Sequence, residues 1–272
     1  SDALTLKGGV SRGFKTPRLD QITPGITGFT AQGTRPSIGT PGLKPETSTS
    51  YEAGLYYNSG GLFSGNITLF HNDFTDRIAT GIGVPNCSFT GAPNRPGCID
   101  VGNFPAVDLY AQSINIDEAV TRGVEAAAKF AFTDTLSLSL NYTYTDSEQK
   151  TGTNKGLPVV NTPEHMLNGN LRWKPMEGLS TWIRAEIRSG RFRGAGVEQT
   201  QLGDYKGYAL FHLGGSYEIN KSIRLSATIY NLFNKDFVRY EDYSNNGTLA
   251  YAAQYANLQE PRRLWLSATV DF

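Results

Sequence analysis

Ten stretches of this chain alternate apolar and polar residues at period two, and the connections between them are short and long by turns. The alternation predicts strands over Ala3 to Phe14, Ser50 to Asn58, Leu62 to Phe74, Ser113 to Phe132, Leu136 to Thr145, Glu164 to Lys174, Leu179 to Arg188, Tyr208 to Ile219, Ile223 to Phe233 and Arg263 to Phe272. Residues 59–61, 133–135, 175–178 and 220–222 make short turns. The other connections are long: Thr16 to Thr49, Ile78 to Gln112, Asp146 to Pro163, Gly190 to Gly207 and Asn234 to Pro261. A soluble sandwich has no reason to place every long loop at one end. An antiparallel meander crossing an outer membrane does, with tight turns in the periplasm and long loops outside. The fold class expected is therefore all-β, a transmembrane antiparallel β-barrel wall.

Side-chain phase supports the same expectation. In the last stretch Leu264, Leu266, Ala268, Val270 and Phe272 fall on one side and Arg263, Trp265, Ser267, Thr269 and Asp271 on the other. Leu136, Leu138, Leu140, Tyr142 and Tyr144 alternate with Ser137, Ser139, Asn141, Thr143 and Thr145. A lysine or arginine facing lipid at mid-membrane costs about 2–4 kcal/mol. Accordingly Arg184, Glu186, Arg188, Arg224, Arg263 and Asp271 all take the polar phase. Arg122 departs from the rule, since it shares a phase with Val120 and Val124. Either a bulge at Gly123 re-phases it or it lies near the outer headgroups.

Composition narrows the function. Lys+Arg and Asp+Glu both number 25, a formal net charge of zero, which argues against nucleic acid as a partner. No stretch approaches the roughly 18 apolar residues of a membrane helix, but a barrel strand needs only about ten alternating ones. The sequence opens directly in strand-like alternation, so an exported protein of this kind is expected to have an upstream part bearing its signal peptide. No nucleophile elbow, HExxH pair, phosphate-binding glycine loop or Cys/His cluster is present, and neither an enzyme nor a cofactor is expected.

Several stretches resemble TonB-dependent outer-membrane receptors of the catecholate ferric-siderophore branch, which includes the enterobactin and colicin I receptors. They are SRGFKTPRL (Ser11 to Leu19), PGLKPETSTSYEAGL (Pro41 to Leu55), EAVTRGVEAAAKF (Glu118 to Phe130), NLFNKDF (Asn231 to Phe237) and the terminal Phe272. The resemblance implies a 22-stranded barrel plugged by a globular domain, with residues 1–272 forming its carboxy-terminal portion and the plug lying outside this chain. It implies a bacterial outer-membrane location and import of a ferric siderophore driven by TonB–ExbB–ExbD through that plug. Further partners implied are outer-membrane lipid and lipopolysaccharide, the barrel-assembly machinery reading Phe272, and colicins or phage at the loops. Ten strands taken from a larger barrel leave two bare edges, so function within a larger receptor is expected. A receptor for cobalamin or a carbohydrate, and a self-contained small barrel acting as adhesin or porin, are the alternatives. Haem is disfavoured, because Lys15 to Leu43 contains no histidine where haem receptors of the family carry one.

A ferric catecholate is bulky, anionic and aromatic, so arginine beside tyrosine or phenylalanine is the expected ligand chemistry. Arg191, Phe192, Arg193, Tyr205 and Lys206 form one candidate cluster in the fourth long loop. Arg239, Tyr240, Tyr243, Tyr251 and Tyr255 form a second in the last loop. Cys87 and Cys98, in the second long loop, are expected to close a structural disulfide in an oxidising compartment. Gly13 and Pro17 are expected to turn a strand into a loop, and Asn231 to mark a bulge near the outer rim.

Overall fold

The computed structural model describes residues 3–27, 37–58, 60–80, 84–85, 109–152, 154–245, 248–254 and 260–271. Ten long strands form one antiparallel meander, each paired to the next in chain order. They are β1 (Leu4–Lys15), β2 (Glu46–Asn58), β3 (Phe63–Thr80), β4 (Leu109–Ala131), β5 (Leu136–Gln149), β6 (His165–Met176), β7 (Leu179–Arg188), β8 (Tyr208–Asn220), β9 (Ile223–Tyr230) and β10 (Arg263–Val270). Short pieces at residues 26–27, 37–38 and 84–85 lie beside β4 or each other, and residues 239–245 and 248–254 make a separate hairpin. Among the described residues two short helices occur in loops, α1 (Leu19–Ile22) and α2 (Val197–Leu202). Among the described residues no helix is long and apolar enough to cross a membrane.

The tight turns are built from the residues the sequence places there. Gly178 takes φ +75°, a conformation open to glycine, and lets β6 reverse into β7 through two residues. Thr133 Oγ1 accepts the N–H groups of Thr135 and Leu136, fixing the β4–β5 turn. Asn220 Oδ1 accepts Ser222 N–H between β8 and β9.

Register sorts the wall into two faces. Phe63, Phe130, Leu138, Leu171, Ile183, Leu213, Ile229 and Leu264 are successive cross-strand partners from β3 to β10, giving one unbroken apolar row. The row of the other phase reads Lys129, Ser139, Asn170, Arg184 and His212. The apolar face is open: Ile67, Leu69, Leu264 and Leu266 are among its exposed members. A continuous apolar surface of this extent exceeds what a soluble monomer normally shows to water. It carries aromatic residues near both ends. At the turn end Phe63 packs on Phe130 at 4.9 Å and Phe130 stacks on Phe132 at 5.8 Å. At the loop end Tyr144 lies 5.4 Å from the His165 ring and Tyr142 Oη hydrogen-bonds His165 Nδ1 at 2.8 Å. On β5, Leu136 to Tyr144 spans about 27 Å along the strand, or about 20 Å at a typical barrel tilt, close to the height of a membrane-barrel apolar band.

Arg122 is resolved by the same register. Pairing runs without a shift through Gly123 on both the β3 and β5 sides, so no bulge is present there. Arg122 stays in the apolar phase, one row beyond Val124 and Tyr144, where its guanidinium meets the cross-strand Asp146 at 2.8 Å. His71 flanks it on β3 and contacts Asp73 at 3.1 Å. The apolar face thus turns charged just past its loop-side aromatic residues.

β9 ends at Tyr230, short of the expected Phe233. Its pairing with β10 is regular to the last residue, and Asn231, with φ +48°, turns the chain out as a corner rather than bulging within the ladder. Little of the wall is buried, as a single sheet layer requires. Apart from Gly54 and Gly214 in the sheet, the buried residues among those described, including Leu43, Val120, Gln149, Val159, Phe192, Leu210 and Asn231, collect at the loop end.

Candidate functional site

The loop end is a packed cap. Gln149 Nε2, at the end of β5, donates to Pro158 O at 2.8 Å, and Ser147 Oγ accepts Val159 N–H at 3.1 Å, folding the third long loop back on its strand. Asn161, with φ +61°, donates its N–H to Phe192 O, so the third and fourth loops are joined. Arg191 and Tyr205 exchange backbone hydrogen bonds of 2.9 and 3.0 Å across the base of the fourth loop. Helix α2 lies against the 248–254 strand of the last loop, and Tyr208 meets Phe237 edge-on at 5.1 Å. At the other flank, Asn115 ties the first loop to the extended β3–β4 pair: its side chain accepts Lys44 N–H and donates to the carbonyls of Lys44 and Asp76.

Within this cap Arg191, Phe192, Arg193 and Tyr205 come together as their residue types suggest, but with divided roles. The Arg193 guanidinium lies 4.0 Å from the centre of the Tyr205 ring, and that of Arg191 5.2 Å. Arg193 is almost fully consumed: Nε donates to Gly203 O at 2.8 Å, Nη1 meets Glu198 at 2.6 Å, and its side chain is 9% exposed. Phe192 is buried. These two hold the loop. Arg191 has a different status, because Nη1 donates to Asn161 Oδ1 at 2.9 Å while its buried Nε has no hydrogen-bond partner among the described residues. Lys206 is exposed beside the cluster. In the second cluster the backbone of Arg239, Tyr240, Tyr243 and Tyr251 forms the hairpin, with Asp242 opposite Tyr251 and Tyr243 opposite Ala250. Tyr240 is exposed and Tyr251 half-buried. Cys87, Cys98, Tyr255 and Phe272 lie outside the described residues.

Below the cap, the polar face carries a network that the sequence pattern signalled only by its charges. Glu186 accepts from Tyr208 Oη at 3.0 Å and pairs with Arg188 at 3.4 Å, while Arg188 also donates to Asn168 Oδ1. Arg263 sits over the Tyr230 ring at 4.7 Å and pairs with Glu260, and His212 Nδ1 accepts Asn231 N–H. The ion pairs lie within β7 and between β10 and the last loop, while hydrogen bonds and a cation–ring contact join neighbouring wall strands. Among the described residues no group of three His, Cys, Asp or Glu could hold a metal ion.

Residues 1–232 match the family described as TonB dependent receptor-like, beta-barrel. The chain belongs to the TonB-dependent receptor β-barrel family. Its relatives include the iron-regulated outer membrane virulence protein of Vibrio cholerae serotype O1, 34% identical over 268 residues, which cover 98% of this chain and 37% of that protein. The ferric enterobactin receptor of Pseudomonas aeruginosa is 30% identical over 252 residues, 88% of this chain and 32% of that one. Among solved structures, a mutant of the ferric enterobactin receptor from Pseudomonas aeruginosa superposes with a TM-score of 0.70 at 27% identity, covering all of this chain and 38% of the other. The chain therefore spans about a third of the length of these relatives. As a TonB-dependent receptor wall, it presents its apolar face to the lipid of the bacterial outer membrane and its polar face to the barrel interior. Arg122 and His71 then fall at the outer edge of the lipid-facing band. The family consists of transport receptors, not enzymes, and its ligand is cargo, not a cofactor.

Proposed function

We propose that this chain is the carboxy-terminal barrel portion of an outer-membrane receptor that captures a ferric siderophore of the catecholate type at its outer loops. Passage through the lumen is driven by TonB acting on a plug domain encoded upstream. Two kinds of support converge on this reading: relatives named as ferric enterobactin receptors, and the loop chemistry. The observation that carries the second is Arg191, poised over Tyr205 with its Nε buried and unsatisfied among the described residues. A buried donor left unpaired costs about 1–3 kcal/mol, and an anionic ligand oxygen relieves that cost.

The test is binding of a ferric catecholate to the complete receptor. Arg191→Ala is expected to weaken affinity about tenfold at low salt, the loss of one charge-assisted contact, with the difference shrinking at high salt. Adding Arg193→Ala weakens binding further by loosening the loop, visible as faster proteolysis of residues 191–205. Unchanged affinity of the Arg191 variant at both salt concentrations removes this cluster from the site. Cobalamin belongs in the same titration, since the vitamin B12 transporter of Photobacterium profundum is a 26% identical relative. Saturation by cobalamin and not by iron catecholate would replace the siderophore reading. The outer charged edge at Arg122 fits lipopolysaccharide headgroups, and the loops are the surface that colicins or phage would meet.

A further inference from the structure

Several charges on the polar face are neutralised by a neighbour, and three cations without such a partner lie on β4, β6 and β7. Glu186 with Arg188, Glu218 with Arg224 and Glu260 with Arg263 are paired. Arg172 and Arg184 have no carboxylate partner among the described residues, and neither has Lys129; all three are exposed. Arg172 is the direct cross-strand neighbour of Trp182, and the Arg184 guanidinium lies 5.6 Å from the centre of the Trp182 ring. Lys129 stands in the same row as Arg184, reached through Ser139 and Asn170, about 15 Å away at normal strand spacing. Ser137, Ser139, Asn170 and Ser180 lie between and beside them, and Glu186, two residues beyond Arg184 on β7, is engaged by Arg188 and Tyr208. Trp182 is seated by Gly214, where a Cβ would come within 2.4 Å of Cζ2, so its indole lies against the β8 backbone. The nearest polar-face acid on β4, Glu125, is four residues from Lys129, about 13 Å along an extended strand. Two guanidinium groups beside a seated indole, with an ammonium three strands along the row and no carboxylate in contact with any of the three, match an anionic aromatic ligand.

We propose that Lys129, Arg172, Trp182 and Arg184 form a lumen-wall station that an anionic, aromatic iron chelate contacts after it leaves the outer loops. This inference rests on the siderophore reading above and adds a second, interior contact to it. The occupant is fixed by charge: cations with no wall carboxylate in contact attract a polyanion on the polar face. The station lies on rigid strands, so its residues are set before the ligand arrives.

The test uses the complete receptor in cells with a functional TonB system. Lys129→Gln, Arg172→Gln and Arg184→Gln are combined, and surface binding and uptake of radiolabelled ferric catecholate are measured together. The station predicts an unchanged surface Kd with uptake about tenfold slower, partly restored when Lys replaces Arg at 172 and 184. The unchanged Kd also shows that the variant is folded. Uptake at the normal rate overturns the proposal. Slower uptake accompanied by entry of a large antibiotic that the unmodified cells exclude also overturns it, because the cations would then be holding an acidic face of the plug. Absence of surface binding in the unmodified receptor would instead remove the siderophore reading itself.

Discussion

Replacing Asn231 with alanine is expected to destabilise the outer rim of the wall by about 2–4 kcal/mol, the largest single loss among the loop-side residues. Asn231 is buried, and its side chain accepts Lys235 N–H at 2.7 Å and donates to Lys235 O and Glu260 O at 2.9 and 3.2 Å. Alanine leaves these backbone groups of Lys235 and Glu260 without those partners. It also places a Cβ-bearing residue without a side-chain hydrogen bond at φ +48°. The corner matters because Leu232 N–H bonds Phe211 O and Asn234 Oδ1 accepts Arg262 N–H, so one asparagine pair ties the β9 exit to the β10 entry. Asn231→Gly keeps the dihedral and loses the amide, and should fall between wild type and alanine. Hydrogen exchange of β9 and β10 amides in the complete receptor gives the measurement. Protection within about 0.5 kcal/mol of wild type for the alanine variant would mean the corner is held elsewhere.

The second large effect concerns the lipid-facing band. Leu140 is the middle of the five apolar or aromatic outward residues of β5, in the row with Gly169, Ala185 and Phe211. Leu140→Arg should cost about 2–4 kcal/mol, the penalty of a guanidinium at the bilayer midplane. Ser139→Arg, one residue away on the polar face beside Asn170, should cost less than about 1 kcal/mol. Folding of the complete receptor into lipid vesicles, followed by the mobility difference of folded and heat-unfolded barrel, separates the two. Equal penalties at 139 and 140 would contradict the assignment of faces.

Much of the wall could be read from the sequence because a strand buries one face, and period two records which face that is. Leu136 to Thr145 and Leu179 to Arg188 were legible for this reason, as were the turns at Gly178 and Asn220. The strands extend further than alternation alone indicates at β2, β3 and β5. There the outward phase is polar, at Thr47, Thr75 and Asp146, and the apolar signal fades although the hydrogen-bonded ladder continues. Arg122 had two readings at the sequence level, and only register on both neighbouring strands decided between them.

The loop cap was legible in residue type but not in role. Arg191, Arg193 and Tyr205 announce cation–aromatic chemistry, yet nothing local tells which arginine Glu198 and Gly203 will consume. That depends on α2, a helix too short to leave a periodic signal. The interior trio of Lys129, Arg172 and Arg184 was hidden for another reason. Each is ordinary on its own strand, and their common lack of a carboxylate appears only when β4 to β7 are laid side by side.

The central claim is that one face of this wall meets lipid and the other the barrel interior. Its most direct test is to place spin labels singly from position 136 to 145 in the complete receptor, reconstituted in bilayers, and to compare collision with dissolved oxygen and with a water-soluble nickel chelate. Oxygen-dominated collisions are expected at 136, 138, 140 and 142, and none of that preference at 137, 139, 141 and 143. Alternation of the opposite phase, or equal exposure of both sets to the chelate, would contradict it.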